Sequence, residues 1–399
     1  RNGLRPCRYE VTDDGRLVMA SEIGALQNDA SEVEQRGRLQ PGQLFVADPE
    51  EGEIRPEEEV FDDLTDEKYG EWVESEQRHL DDVAGADDRL PRDERDDLRA
   101  HQALYGYTHD ELDNLVGPMA QAGKDPVGSM GDDTPLSVLS EFNRPLFSYF
   151  KQLFAQVSNP PVDNIREKLV FSLETRIGHQ RNLLDETAAH ASQLVADSPV
   201  LTDAETAAIR DLDADIPSAV VDITYDGGDL EAAIERVRAD SVAAIEGGAD
   251  IVVLSDRDAS EDRVPIPSLL ATGAVHHHLV RNGMRNHAGL VVESADPRTT
   301  HHLATLVGYG ADAVNPYLAF QTITDLVAGP DGADPEDAIE AYVEAMEGGL
   351  LKTMARMGIS TVESYQGAQI FEAVGLDNDF VAEYFEGTEA RTGGIGIED

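Results

Sequence analysis

The sequence predicts an α/β protein built mainly on a parallel βα array, preceded by a helical linker and a β-rich opening segment. Three observations carry this expectation. Short apolar runs alternate with amphipathic stretches between residues 219 and 315, which is the rhythm of strand, helix, strand with parallel pairing. Residues 1–60 instead alternate apolar and polar around glycine turns, and residues 61–127 are acidic with apolar residues at helical spacing.

In chain order, YEVTDDGRLVMASE turns at Asp-Asp-Gly and LQPGQLFVADPEEGEI at Glu-Gly, so two hairpins are expected. KYGEWVESEQRHL and HQALYGYTHDELDNLV read as helices with Trp72, Val73, Leu104, Tyr105, Leu112 and Leu115 turned inward. The interval RLPRDERDDLRA is a solvated charge run, and His101 and His109 read as surface residues. Residues 128–174 form the most informative stretch. Thr134-Pro135 and Arg144-Pro145 read as helix starts, because proline in the first turn loses only an N–H without an intrahelical partner. Leu146, Tyr149, Phe150, Leu153, Phe154 and Val157 then predict an aromatic amphipathic helix, ended by Ser158-Asn159-Pro160-Pro161 and restarted at Asp163.

Residues 175–218 read as a polar connector in which Thr202 or Asp203 caps a short helix. AVVDITY (219–225), DIVVLSD (250–256), GLVVES (289–294) and a short segment ending near Asn315 read as buried strands. The helices between them start at Asp229, within IPSLLATGAVHHHLVRNG and at HHLATLVGYG. Asp334 and Pro335 open a further helix that Gly348-Gly349 is expected to interrupt, with Met346, Met354 and Met357 as adaptable core. Four short strands are too few for a closed barrel of eight.

Composition excludes several functions. With 79 acidic and 31 basic residues the net charge is −48, and lysine occurs only at 68, 124, 151, 168 and 352. Such a surface repels nucleic acid and anionic membranes, and it suits a folded protein of a salt-rich cytoplasm. Cys7 is the single cysteine, so an intramolecular disulfide or a cysteine-ligated iron–sulfur cluster cannot be built. His276, His277 and His278, with His287, His301 and His302, suggest a metal, but consecutive helical residues point about 100° apart, so three cannot share one face. No glycine-rich phosphate loop is present, since Gly308-Tyr309-Gly310 follows a helix rather than opening one.

Long motifs then carry a family resemblance. GKDPVGSMGDDTPLSVLS, LFSYFKQLFAQVSNPPVDNIREKLVFSLE and RNLL closely resemble the linker of the glutamate synthase large subunit, and RNGLRPCRY with LVMASEIG resembles the end of its class II glutamine amidotransferase domain. The resemblance implies residues 1–60 as the end of that glutaminase domain, 61–185 as helical linker, 186–385 as a central α/β domain akin to a reduced (β/α) barrel, and 386–399 as the lead-in to an FMN-binding domain. It also implies an origin in a halophilic archaeon when joined to the composition.

Asn2 and Gly3 match the family's oxyanion hole, whose donors would meet a developing oxyanion. Cys7 lies after that pair rather than at the family's N-terminal nucleophile position, and reads as a small strand residue. The resemblance implies glutamine-dependent glutamate formation from 2-oxoglutarate, with this chain as scaffold and ammonia-tunnel wall and inactive alone. FMN and an iron–sulfur cluster would belong to the full enzyme, and no cofactor or metal to this chain. Its partners would be the remaining glutaminase and FMN domains and an electron donor, ferredoxin or an NADPH-linked small subunit. Because the chain opens with Arg1, it reads as a fragment or a processed form. The alternatives are a non-catalytic interaction subunit joining separately encoded glutaminase and flavin subunits, and a flavin-binding half-barrel, which the missing phosphate loop disfavours.

The charge generates a first prediction. Salt shortens the screening length from about 30 Å at 0.01 M to about 3 Å at 1 M, relieving repulsion among surface carboxylates. The melting midpoint followed by circular dichroism is expected to rise between tens of millimolar and molar KCl, and a flat response would remove the salt-adapted reading.

Overall fold

A parallel strand buried on both faces feeds two cores at once, because successive side chains point to opposite sides. That geometry governs the larger part of this protein. The computed structural model describes every residue except 1–5, 23, 41, 66, 85–97, 128–134, 143, 154–161, 163–165, 213–215 and 329–331. The chain divides into two compact units, residues 1–75 and 76–399.

In the first unit, β1 (Arg8–Thr12) and β2 (Leu17–Ala20) form the hairpin expected at Asp-Asp-Gly, with Gly15 at φ 79° in the turn. β3 (Val33–Arg38), which the sequence did not announce, pairs antiparallel with the other edge of β1. Its Arg36 forms an ion pair across the sheet with the largely buried Glu10 at 2.8 Å. β4 (Val46–Asp48) and β5 (Glu53–Arg55) make the second expected hairpin. α1 (Glu57–Leu64) and α2 (Glu67–Glu76) follow; Val60 is buried and Trp72 half-buried, but Val73, expected inward, is exposed.

The second unit opens with β6 (Arg78–His79), α3 (Leu80–Val83), α4 (Leu98–Leu104) and α5 (His109–Glu111). A π-helical turn, Leu112–Val116, leads into α6 (Gly117–Ala122). Tyr105 is buried as expected, whereas Leu104 is exposed. The aromatic helix expected from residue 146 is not formed over its first turns. Leu146–Tyr149 is a 3₁₀ turn, and Phe150–Gln152 is a strand, β7, paired antiparallel with β16 (Phe371–Ala373). The reason is tertiary: pairing with a segment more than 200 residues away places Phe150 edge-on to Tyr309 at 5.2 Å and Phe385 at 4.8 Å. The helix starts expected at Thr134 and Asp163 and the Phe154–Pro161 stretch lie outside the described residues.

The expected polar connector is corrected as well. After α7 (Glu167–Val170), residues 175–216 supply β8 (Thr175–Ile177), β9 (Leu194–Ala196) and α8 (Asp203–Arg210), the last capped by Thr202 in a reciprocal box with Glu205. Its inward residues Ile177, Leu194, Leu201, Ile209 and Ile216 are buried against Ile251, Val253, Val291 and Ala313 of the main sheet. The segment looks polar because its other side faces water.

The main sheet runs β10 (Ser218–Asp222), β12 (Ile251–Ser255), β14 (Gly289–Glu293) and β15 (Ala313–Asn315), all parallel and in chain order. β11 (Thr224–Tyr225) pairs separately with β13 (Val264–Pro265). Alternate residues Val252, Leu254, Leu290, Val292 and Val314 face the second, larger core under α9 (Leu230–Glu246), α10 (Ser268–Arg281) and α11 (Thr300–Gly308). The Asp229 side chain caps α9 through Ala232 N–H at 3.0 Å, as the sequence suggested. α12 (Tyr317–Leu326), α13 (Pro335–Met357), α14 (Val362–Tyr365), α15 (Asn378–Tyr384) and β17 (Glu389–Ala390) complete the unit. Residues 386–399, without hydrophobic period, nevertheless pack Ile395 and Ile397 on the larger core.

α13 runs through Gly348-Gly349 without the expected interruption. Gly349 is there for contact: a Cβ would lie 2.4 Å from Thr300 Cγ2 at the start of α11, while a Cβ on Gly348 would meet nothing within 4 Å. Gly349→Ala is therefore expected to lower stability by about 1–3 kcal/mol through overpacking. Gly348→Ala is expected to raise it by about 0.5–1 kcal/mol by removing a helical glycine. Urea unfolding of both in molar KCl distinguishes these, and equal effects would refute the close-contact account.

Candidate functional site at the strand carboxyl ends

Open α/β sheets place ligands beyond the carboxyl ends of their strands, where loops diverge and helices begin. Here Ser255-Asp256-Arg257 ends and follows β12, Glu293-Ser294-Ala295-Asp296 ends and follows β14, and Asn315-Pro316-Tyr317 ends and follows β15. The segments converge, and nearly every polar group in them is used by another.

Asp256 is fully buried. Its carboxylate accepts from Ser294 Oγ at 2.6 Å, Tyr317 Oη at 2.8 Å and the Ala295 N–H at 3.1 Å. Burial pushes its pKa up to about 7 against those three donors, which favour the charged form. Glu293, also fully buried, accepts from Ser255 Oγ at 2.6 Å and pairs with both Arg210 and Arg257. Arg257 reaches on to Asp203 at 3.2 Å and lies over the Tyr317 ring at 4.3 Å. Asn315 ties the same carboxylate to β15 by donating to Asp203 at 3.1 Å and to the Leu201 carbonyl at 2.9 Å. Burial raises the pKa of Asp203 despite these partners.

Next to this network, Asp296 accepts from the Ser268 N–H at 3.3 Å and Oγ at 3.1 Å at the start of α10. Arg298, whose side chain is wholly inaccessible, pairs with Glu111 at 3.1 Å. It also donates to the carbonyls of Asp296 at 3.0 Å, Gly106 at 3.1 Å and Tyr105 at 3.4 Å. Its guanidinium sits 4.3 Å from the Tyr107 ring centre, and Tyr107 Oη donates to the Ala295 carbonyl at 2.9 Å. Tyr105 packs with Ala259, Ala295, Tyr317 and Leu318. Residues 105–111 thus fill the position a ligand takes in an open α/β protein.

The arrangement binds charge to charge. Its serine hydroxyls are committed to carboxylates, Ser294 to Asp256 and Ser255 to Glu293, and among the described residues no three His, Cys, Asp or Glu side chains form a metal-holding group. The histidines have other partners: His301 Nε2 bonds the Phe147 carbonyl at 2.9 Å, His302 stacks on Phe147 at 4.2 Å, and His179 stacks on His287 at 5.1 Å. Asn2 and Gly3 lie outside the described residues. Cys7 is half-buried just before β1, where its carbonyl accepts from the Leu39 N–H at 2.9 Å. Sequence reasoning missed Glu111, Asp256, Asp296 and Arg298. The signal available was the run of charged residues directly after apolar strands, LSDRD and ESADPR.

Fold and site together define an α/β segment whose strand-end face is closed by residues 105–111 of the same chain. Comparison with known proteins says which. Residues 100–377 match the glutamate synthase central domain, and residues 1–72 match the class-II glutamine amidotransferases. The NADPH glutamate synthase large chain of Bacillus subtilis is 40% identical over 401 residues, covering 100% of this chain and 26% of that one. That of Azospirillum brasilense is 41% identical over 407 residues, covering 100% and 27%, and the ferredoxin-dependent glutamate synthase 2 of Synechocystis is 39% identical over 416, covering 100% and 27%. The chain belongs to the glutamate synthase family and spans about a quarter of the length of these relatives. Among solved structures, the flavin-binding domain of baker's yeast flavocytochrome b2 aligns with 41% of this chain and 40% of its own at 19% identity and a TM-score of 0.28, too slight a likeness to argue from.

Asp256 generates a prediction with a definite sign. Its folded pKa lies above its unfolded value of 3.8, so between about pH 4 and about pH 7 the folded chain holds a proton that the unfolded chain has released. This group's contribution to stability therefore falls as pH rises through that window. Asp256→Asn is expected to remove this falling contribution, so that the stability of the variant minus that of wild type rises with pH through the window, read by urea unfolding at fixed salt. Parallel curves would show that Asp256 titrates normally.

Proposed function

We propose that this chain works as the central segment of a glutamate synthase, the scaffold and ammonia-tunnel wall between a glutaminase site and the site where glutamate is formed from 2-oxoglutarate. The carrying observation is the sealed strand-end face of a segment whose residues 100–377 match the family's central domain. A part that fixes the separation of two distant reactions needs rigidity and a filled interior. On this reading residues 1–60 close the glutaminase domain, 61–185 link, 186–385 are the central domain, a reduced relative of the (β/α) barrel, and 386–399 lead to the flavin domain. The unreversed strand order supports the barrel kinship.

Asn2 and Gly3 would supply oxyanion donors to a cysteine nucleophile carried upstream of them. FMN and an iron–sulfur cluster do not fit the residues present here, since the chain has one cysteine and its strand ends are closed by Tyr105, Tyr107 and Arg298. Those groups belong to other segments of the enzyme, as does docking of the electron donor, ferredoxin or an NADPH-linked small subunit. The acidic composition supports a halophilic archaeal cytoplasm. No helix among the described residues is long and apolar enough to cross a membrane.

The purified chain is expected neither to hydrolyse glutamine nor to form glutamate. Joined to the upstream glutaminase segment with its N-terminal cysteine, it is expected to gain glutaminase activity, and Asn2→Ala should then cost about 10²–10³ in rate, the effect of removing one oxyanion donor. Glutaminase activity in the chain itself, abolished by Cys7→Ala, would overturn this assignment. Activity regained by mixing with separate glutaminase and flavin subunits would favour the reading as an interaction subunit.

A further inference from the structure

The ends of α10 and α11 remote from Ser268 and Thr300 enclose a cavity of about 300 Å³, within the range of small-ligand sites. Its floor is aromatic: the buried rings of Tyr309 and Phe371 lie nearly parallel, at 27° and 5.9 Å. Room for the Phe371 ring exists because residue 308 is glycine, where a Cβ would lie 2.7 Å from Phe371 Cε2. At the mouth stands the exposed Glu386, tied to Arg281 Nε at 2.9 Å. Among the described residues that line the cavity, Glu386 carries the only formal charge.

Two imidazoles line the wall, and their protonation follows from their contacts. Arg285 Nε donates to His276 Nδ1 at 3.1 Å. A guanidinium only donates, so Nδ1 is the unprotonated nitrogen and the proton of the neutral ring is on Nε2. Burial, with the nearby Arg285 charge, holds that ring neutral, its pKa lowered to about 3. Burial likewise lowers His277 to about 4, and its Nε2 is buried with no hydrogen-bond partner among the described residues. Gln369, also lining the cavity, is the one non-glycine residue with positive φ among those described, at 53°. Its amide lies where a side chain on Gly387 would otherwise be, 2.1 Å from that Cβ position. Strained backbone that presents a polar side chain to a cavity is characteristic of ligand sites.

We propose that this cavity binds a small, planar, uncharged molecule presenting a hydrogen-bond acceptor beside an N–H donor, either a primary carboxamide or an amino-substituted nitrogen heterocycle of nucleobase size. The ligand lies flat on Phe371 and Tyr309, accepts from His276 Nε2–H, satisfies His277 Nε2, and exchanges hydrogen bonds with the Gln369 amide. Anions are disfavoured, because none of the described lining residues is cationic and Glu386 guards the mouth.

The test uses the full chain in molar KCl with nicotinamide, adenine and benzoate, the last an anionic match to nicotinamide in size and shape. Calorimetry or saturation-transfer NMR is expected to detect nicotinamide, adenine or both below about 1 mM, with benzoate at least about tenfold weaker. Which neutral probe binds distinguishes carboxamide from heterocycle. Imidazole ¹⁵N spectra should place the His276 proton on Nε2, with His277 shifting on binding. His277→Phe and Gln369→Ala should each weaken binding by about tenfold or more while the melting midpoint stays near that of wild type. Absence of binding by both neutral probes at about 10 mM, or benzoate bound as tightly as nicotinamide, overturns the proposal, and both are read on wild type whatever the variants do.

Discussion

A parallel sheet tolerates no wet face, and most of the larger unit follows from that constraint. Ile251 and Val253 point one way while Val252 and Leu254 point the other, so both sides must be covered by apolar residues. One side is covered locally by α9, α10 and α11, the natural products of strand–helix–strand connection. The other has no such helices. It is closed by Leu80 and by the segment from Ile177 to Ile216, brought back from earlier in the chain. Thus a stretch with little apolar period of its own becomes half of a core.

Covering both faces turns the strand ends into the remaining problem. Asp256, Glu293, Asp296 and Arg298 are withdrawn from water there, and each buried charge needs partners whose geometry exhausts its hydrogen-bonding capacity. Glu111 answers for Arg298, and it does so from a position already fixed: its carboxylate accepts from the Thr108 N–H at 3.1 Å as half of a capping box. One side chain therefore ends the Tyr105–Tyr107 loop, starts a helix and neutralises a buried guanidinium. Such a pair is weak as a source of net stability, and Glu111 is the carboxylate that pairs with Arg298 from this segment. It also suits an acidic protein at high salt, because buried pairs are screened far less than the carboxylates outside.

What could be read from the sequence was what local physics decides. The four main strands, their helices, the caps at Asp229, Thr202 and Asp334 and the hairpin at Gly15 all followed from period and turn chemistry, and the family's long motifs named the central domain. The misreadings share a cause. Phe150 lies in a strand because β16 pairs with it, Gly349 stays helical because Thr300 packs against it, and Ile177 is buried because the sheet's second face needs it. In each case the deciding partner is distant in sequence, and helical spacing carries no information about it. The strand-end network was hidden for a related reason: nothing local to LSDRD shows that Tyr105 and Tyr317 pack together beside it.

The consequence is an inverted polarity within a familiar architecture. The carboxyl ends of the strands, where an α/β protein ordinarily keeps its ligand, are packed solid with paired charge. The opposite ends are braced instead: Arg285 bonds the carbonyls of Ala288 and Gly310 and the carboxylate of Asp312, which in turn accepts from the Leu290 N–H at the start of β14. That brace holds His276 by its Nδ1 and leaves its other nitrogen to the cavity beside Tyr309. One end of the sheet is thus sealed and the other stiffened. The recognition chemistry still open to it lies where the fold does not usually provide any.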